Sequence, residues 1–76
     1  MSERAAELKL SYSRHAKDRL RERKISRQEV EYCLEHYSES YPDRQGNRIY
    51  VGKVGKRRIK VVVSRDDANF VITVAD

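Results

Sequence analysis

The second half of the chain is built from short β-branched segments, and this pattern limits the fold more than any other feature. Arg48–Val54, Arg57–Val63 and Phe70–Ala75 are each rich in Val and Ile, residues that favour strands. Gly55-Lys56 separates the first two segments, and the turn-forming residues 65–69 separate the last two. The sequence therefore predicts three consecutive antiparallel strands joined by tight turns.

The first half predicts one strand followed by two helices. Residues 8–12 place Leu8, Leu10 and Tyr12 on one face of a strand, and residues 1–7 are predicted to be flexible. Ser13 is the predicted N-cap of the first helix, which ends at Ile25. A second helix then opens with the capping box of residues 26–29.

The second helix has the clearest periodicity in the chain. Val30, Cys33, Leu34 and Tyr37 recur at helical spacing, which predicts one face packed on a sheet, a buried inert Cys33 thiol and an end at Tyr37 or Ser38. We therefore expect a single α+β domain over residues 8–76, ordered strand-helix-helix-strand-strand-strand. Its two helices should cover one face of an antiparallel sheet and leave the other face open.

The charge of the chain limits its partners. The 76 residues include 17 Lys and Arg against 12 Asp and Glu, a formal net charge of +5 that favours RNA or DNA and would equally suit an acidic protein. We expect a cytoplasmic protein, because the sequence contains neither a membrane-spanning run nor a signal-peptide core. It also has no metal-ligand spacing, and Asp66-Asp67 is typical of a turn, so no metal or cofactor is expected.

His15, Arg19 and Arg23 are spaced four residues apart and border the apolar face of the first helix. Two interpretations of this stripe stay open. The three side chains can point into a cleft that binds phosphate, or the arginines can pair with Asp18, Glu22 or Glu29 on a solvated surface.

The register of the predicted hairpin decides which cations share a face. With a loop of two or four residues, Lys53, Arg58 and Lys60 lie together and Tyr50 lies on the opposite face. Three neighbouring cations repel one another unless an anion lies across them, which favours a phosphate-binding strip. A charged ladder that keeps an exposed strand soluble is the alternative.

The motif His15-Ala16-x-x-Arg19-x-x-x-Arg23-x-Ile25-Ser26, with the later Gly46-Asn47-Arg48-x-Tyr50-Val51-Gly52, resembles an uncharacterised bacterial family of small domains. That family is similar in its strand-helix-helix-three-strand plan to RelE-like and BrnT-like ribonuclease toxins of toxin–antitoxin pairs. The resemblance implies an RNA-binding, toxin-like protein that acts as a metal-independent endoribonuclease on RNA, including ribosome-bound mRNA, and has an antitoxin partner.

Metal-free RNA cleavage needs a proton carrier and cations around the phosphate. His15 is the candidate base or acid, because an imidazole exchanges protons near neutral pH. Arg19, Arg23, Arg58 and Lys60 would hold the reacting phosphate, because a guanidinium group donates two hydrogen bonds to two phosphate oxygens. The candidate RNA-binding residues are Arg48, Tyr50, Lys53, Arg58 and Lys60, although Tyr50 also fits a half-buried strand aromatic. A non-catalytic nucleic-acid-binding module and a domain for an acidic partner remain the alternatives.

Overall fold

Two helices and five strands make up residues 10–76, the part of the chain that the computed structural model describes. The predicted α+β class, with helices on one face of a sheet, is confirmed. Residues 1–7 and Leu8, predicted as a flexible segment and a strand start, lie outside the described residues. The elements are β1 Ser11–Tyr12, α1 Arg14–Arg23, α2 Arg27–Glu35, β2 Glu39–Pro42, β3 Arg48–Val54, β4 Arg57–Val63 and β5 Phe70–Ala75.

Both helices begin at the predicted serine caps. The Ser13 hydroxyl accepts the Ala16 N–H at 3.0 Å and donates to the Ile72 carbonyl at 2.7 Å, so one side chain caps α1 and ties it to β5. At α2, Ser26 and Glu29 exchange both bonds of a capping box. These local bonds satisfy N–H groups that a helix start leaves unpaired.

The helix ends are set by backbone geometry. α1 ends at Arg23 because Lys24 adopts a left-handed conformation with φ of 55°, and its N–H turns back to the Arg21 and Leu20 carbonyls. α2 ends at Glu35, two residues before the predicted Tyr37, because the cap residue His36 leaves the helical conformation.

The sheet has the strand order β1-β5-β4-β3-β2. β2 to β5 are antiparallel neighbours, whereas β1 runs parallel to β5, so the expectation of a wholly antiparallel sheet is corrected at this edge. The alternation of apolar residues predicts a strand without giving its direction. Here the direction follows from α1, which must start beside β5, where the Ser13 N–H donates to the Val71 carbonyl at 3.0 Å.

β2 is an edge strand that the sequence analysis did not predict. Its last residue, Pro42, suits an edge because it has no N–H to donate, and the turn that follows β2 begins at Asp43. Asp43 organises that turn by accepting the N–H groups of Gln45 and Asn47, each at 2.8 Å.

The predicted β3–β4 hairpin has a loop of two residues, Gly55-Lys56, one of the two lengths considered above. Gly55 has φ of 65°, the positive value that such tight loops require. Because Val54 pairs with Arg57 and Lys53 with Arg58, the predicted division of side chains between the two faces is confirmed.

The core lies between the helices and one face of the sheet. Ala16 and Leu20 are the buried residues of α1, and Val30 and Cys33 are those of α2. Gly52 allows α2 to approach β3 closely, since a Cβ there would lie 3.2 Å from both Cys33 Sγ and Tyr37 Cα. The strands contribute mainly Ile59, Val61, Val63, Val71 and Val74.

Candidate nucleic-acid interface

The net positive charge of the chain resides in one continuous segment. Residues 14–27, which form α1 and the start of α2, contain seven Lys or Arg and two acidic residues, so their formal charge equals the +5 of the whole chain. Most of these cations are solvent-exposed, and Arg19 is half-buried. We call this region the α1 surface; its basic residues and histidine are Arg14, His15, Lys17, Arg19, Arg21, Arg23, Lys24 and Arg27.

The predicted stripe lies on one flank of the α1 surface. His15 is exposed, Arg19 is half-buried, and the Arg23 side chain is 52% exposed. Within residues 10–76, neither arginine is within ion-pair distance of the acidic residues that the second interpretation proposed. Asp18 instead contacts Arg21 at 3.1 Å, and Glu29 lies 3.9 Å from Arg57.

The other flank of α1 faces the first turn of α2. A groove lies between them, lined by the cations Lys17, Arg21 and Arg27 and by the apolar residues Leu20 and Ile25. The groove places three further cations beside the stripe. α1 therefore presents positive charge on both sides of its buried edge.

Tyr12 anchors one end of this groove to the sheet. The Arg27 guanidinium lies 5.0 Å from the centre of the Tyr12 ring, a cation–π contact, and the buried Tyr12 hydroxyl has no hydrogen-bond partner among the described residues. Burial raises the pKa of Tyr12, Glu31 raises it further, and Arg27 opposes both. The phenol is therefore neutral at physiological pH.

A second group of cations lies on the open face of the sheet. Lys53 and Arg58 are directly opposite each other, and Lys60 follows Arg58 on the same face. We call these three residues the open-face cluster. Glu39 on β2 lies 3.6 Å from Arg58 and offsets part of its charge, although both side chains are largely exposed.

The two basic regions border each other at the end of β5. The Asp76 carboxylate lies 3.9 Å from Arg23 Nε and 3.8 Å from Arg57 Nε, and Asp76 also lines a depression on the open face with Arg58 and Lys60. Arg57 donates to the Lys24 carbonyl at 3.2 Å, which ties the start of β4 to the end of α1. Neither Arg57 nor Asp76 could be identified from the sequence, because their contact depends on three elements meeting in space.

Arg48 and Tyr50 lie apart from the open-face cluster. Both belong to the β3 residues that face the helices, with Arg48 exposed at the strand start. Tyr50 is half-buried against the core, and its ring meets Tyr37 edge-on at 4.8 Å. The structure therefore brings Lys53, Arg58 and Lys60 together and separates them from Tyr50.

The described residues provide little other chemistry. Residues 10–76 contain no group of three or more His, Cys, Asp and Glu side chains arranged to hold a metal ion. Cys33 is buried, and its thiol lies 3.5 Å from the Ile59 carbonyl. Burial raises the pKa of this thiol, and the smaller effect of a hydrogen bond with the Gly52 backbone lowers it. In the same residues, no helix is long and apolar enough to cross a membrane.

Comparison with known proteins gives one match. No curated protein and no solved structure matches the chain. A family described as a domain of unknown function, DUF4258, matches residues 12–76, from the end of β1 to the last described residue. The matched region contains the helix stripe, both groups of cations and every strand after β1, and the chain belongs to this DUF4258 family.

Proposed function

We propose that the protein binds RNA through phosphate contacts made by the α1 surface. The observation that carries the proposal is the concentration of the whole formal charge of +5 in residues 14–27, on one side of the domain. Arginine and lysine side chains on an exposed helix are well suited to phosphate oxygens, and guanidinium groups donate two hydrogen bonds in a fixed plane. Such contacts recognise the backbone and carry no base sequence.

Few acidic residues compete for these cations. Within the described residues, Asp18 engages Arg21 alone, and Asp76 lies 3.9 Å from Arg23, a distance longer than a direct hydrogen bond. The Asp18–Arg21 pair is exposed on both sides and is weak in water. The Asp76 side chain is only 24% exposed, but its carboxylate also lies 3.8 Å from Arg57, so a phosphate that replaces it at Arg23 leaves it a cationic partner.

We further propose that the bound RNA is cleaved, as the resemblance to RelE-like and BrnT-like toxins implies, with an antitoxin as the protein partner. His15 is exposed one helical turn from Arg19, an arrangement that suits a proton carrier beside a phosphate ligand. The helix-packed core separates α1 from the open-face cluster, so Arg19 and Arg23 are the cations nearest to His15 along its flank. These two arginines would stabilise the reacting phosphate.

The binding proposal is tested by measuring the affinity for a fluorescent single-stranded RNA at several salt concentrations. With four to six cations engaged, log K should fall against log salt with a slope of roughly −3 to −4. Lys17→Gln should reduce the affinity similarly for unrelated RNA sequences. A flat salt response would remove nucleic acid as the partner and favour an acidic protein.

The cleavage proposal is tested with His15→Ala. If His15 carries the proton, cleavage should fall roughly 10²- to 10⁴-fold while RNA affinity stays nearly unchanged, and EDTA should not inhibit. The assay should include ribosome-bound mRNA as well as free RNA. Wild-type protein that cleaves neither substrate would leave a non-catalytic RNA-binding module.

A further inference from the structure

β2 pairs with the first part of β3 and does not extend along its end, next to the β3–β4 loop. This leaves a notch at the edge of the sheet. β2 pairs with residues 48–51 of β3, so Lys53 extends beyond the first pair, Glu39 with Val51. A cavity of about 340 Å³ lies there. We call it the notch; it is lined by Ser38, Gly52, Lys53, Lys56 and Arg58.

Three cations reach the notch from three different positions. Lys53 comes from β3, Lys56 from the hairpin loop and Arg58 from β4. Gly52 supplies no side chain, and the Ser38 hydroxyl is held by the Val51 carbonyl at 3.2 Å. The notch therefore has cationic walls that converge on one space.

The backbone adds a donor to the same place. In a two-residue hairpin the residues that flank the loop, Val54 and Arg57, form a hydrogen-bonded pair, so the N–H of the next residue, Lys53, points away from β4. No described strand pairs with Lys53 on that side, because β2 begins at Glu39, which pairs with Val51. The N–H and the carbonyl of Lys53 are thus both directed towards the open edge at the notch, where the N–H is the group that can donate to an anion.

The charge of the notch selects the kind of anion. Lys53, Lys56 and Arg58 contribute three positive charges, and Glu39 at 3.6 Å from Arg58 offsets part of them. The remainder matches a phosphate monoester, which carries about −1.5 to −2 at pH 7, better than a backbone diester with a single charge. A terminal phosphate is attached to RNA on one side only, so it can enter a pocket at the edge of the sheet. A backbone diester is attached to RNA on both sides and fits such a pocket less well.

We propose that the notch binds the terminal phosphate of an RNA strand. The RNA part of this inference rests on the proposed function, whereas recognition of a phosphate monoester rests on the notch alone. The α1 surface would then hold internal phosphates and the notch would hold the strand end.

The experiment compares one short RNA in three forms: with a 5′-phosphate, with a 3′-phosphate and with hydroxyls at both ends. One charge-assisted site should strengthen binding of at least one phosphorylated form about tenfold. Lys53→Gln and Lys56→Gln should each remove most of this preference. Arg44→Gln, which removes the same charge from the exposed β2–β3 loop, should keep it. Equal affinity for all three forms overturns the proposal.

Two further measurements distinguish an RNA end from a free phosphate as the ligand, and the notch proposal from the proposed RNA-binding function. Inorganic phosphate and uridine monophosphate are titrated while the amide signals of Lys53 and Lys56 are followed by NMR. Shifts with these small molecules and no preference among the RNAs would overturn the RNA end in favour of a free phosphate or nucleotide. Lys17→Gln should weaken binding of all three RNAs equally. Wild-type protein that binds none of the three RNAs would contradict the proposed function, and the titration would still decide whether the notch binds phosphate.

The pH dependence gives an independent check. The second proton of a phosphate monoester dissociates near pH 6, so the preference for the phosphorylated RNA should decrease between pH 7.5 and pH 5. A preference that is constant over this range would show that the monoester charge is not what the notch recognises.

Discussion

Replacing Arg19 or Arg23 with Gln should weaken RNA binding and leave the fold almost unchanged. Gln keeps part of the side-chain length and polarity and removes the charge. Arg23 is 52% exposed and its Nε is 3.9 Å from the Asp76 carboxylate, so the pair lost in Arg23→Gln contributes at most about 1 kcal/mol to the free energy of unfolding. Arg19 has no acidic partner within ion-pair distance among residues 10–76, so Arg19→Gln loses no ion pair and should cost only the packing of its half-buried stem, again about 1 kcal/mol.

The expected stability change converts into a modest shift in melting temperature. For a domain of 60–100 residues, 1 kcal/mol corresponds to about 4–8 °C, so each variant should melt within that range of the wild type. Binding should change more. A hydrogen bond to a charged group contributes about 1.5–3 kcal/mol, so each variant should lose roughly 10- to 100-fold in RNA affinity.

Salt dependence separates a lost phosphate contact from a general loss of charge. A removed contact should lower the slope of log K against log salt by about 0.7 for single-stranded RNA. Arg44→Gln is the matched control, since it removes one exposed arginine from the loop between β2 and β3. Its affinity and slope should stay near the wild type.

Two results would contradict phosphate contacts by Arg19 and Arg23. A loss of roughly 3–5 kcal/mol in either α1 variant, with RNA affinity intact in the folded fraction, would mean that the arginine neutralises a buried charge. An Arg44→Gln variant as weak as the α1 variants would mean that the affinity follows the total charge, with no defined surface on α1.

Two further predictions concern the scaffold of the site. Burial acts to raise the pKa of Asp43, but hydrogen bonds from the Asn47 side chain and from the Asn47, Gln45 and Gly46 backbone outweigh it and lower the pKa. Asp43 should therefore stabilise the fold above the ordinary carboxyl pKa of about 3.9, and this stability should be lost as the pH falls through its lower folded pKa. Denaturant unfolding of Asp43→Asn should lack that acidic component. Gly52→Ala should destabilise the domain by about 1–3 kcal/mol, because its Cβ meets Cys33 Sγ and Tyr37 Cα at 3.2 Å. Calorimetry of Gly52→Ala combined with Cys33→Ala should show partial recovery, and strictly additive losses would contradict the contact.

The elements that the sequence predicted are those set by neighbouring residues. Ser13 caps α1 and Ser26 caps α2 through bonds that span three residues, so the serines could be identified without knowledge of the rest of the fold. The two-residue loop at Gly55 likewise follows from local geometry, and it fixed the side on which Lys53 and Arg58 lie.

The elements that the sequence did not predict depend on contacts between distant segments. β2 has a weak local signal, with Pro42 beside turn-forming residues, and it exists because β3 offers an unpaired edge. The parallel direction of β1 follows from the position of α1 on β5. The notch and the Asp76 contacts follow in turn from where β2 begins and β5 ends, so neither could be derived from the periodicity of one segment.

His15 and Lys60 lie on opposite sides of the domain, which limits how the proposed ribonuclease could work. A mechanism that used His15 together with Lys60 would require groups on opposite sides of the packed helix–sheet interface. Where the two basic regions meet, at the end of β5, the Asp76 carboxylate lies 3.9 Å from Arg23 and 3.8 Å from Arg57, so a phosphate that bridges the regions there has to replace it. Proton transfer needs groups within hydrogen-bond reach of the same phosphate. Arg19 is therefore the cation best placed to stabilise a transition state formed at His15, and the open-face cluster is better placed to hold RNA away from the reacting bond.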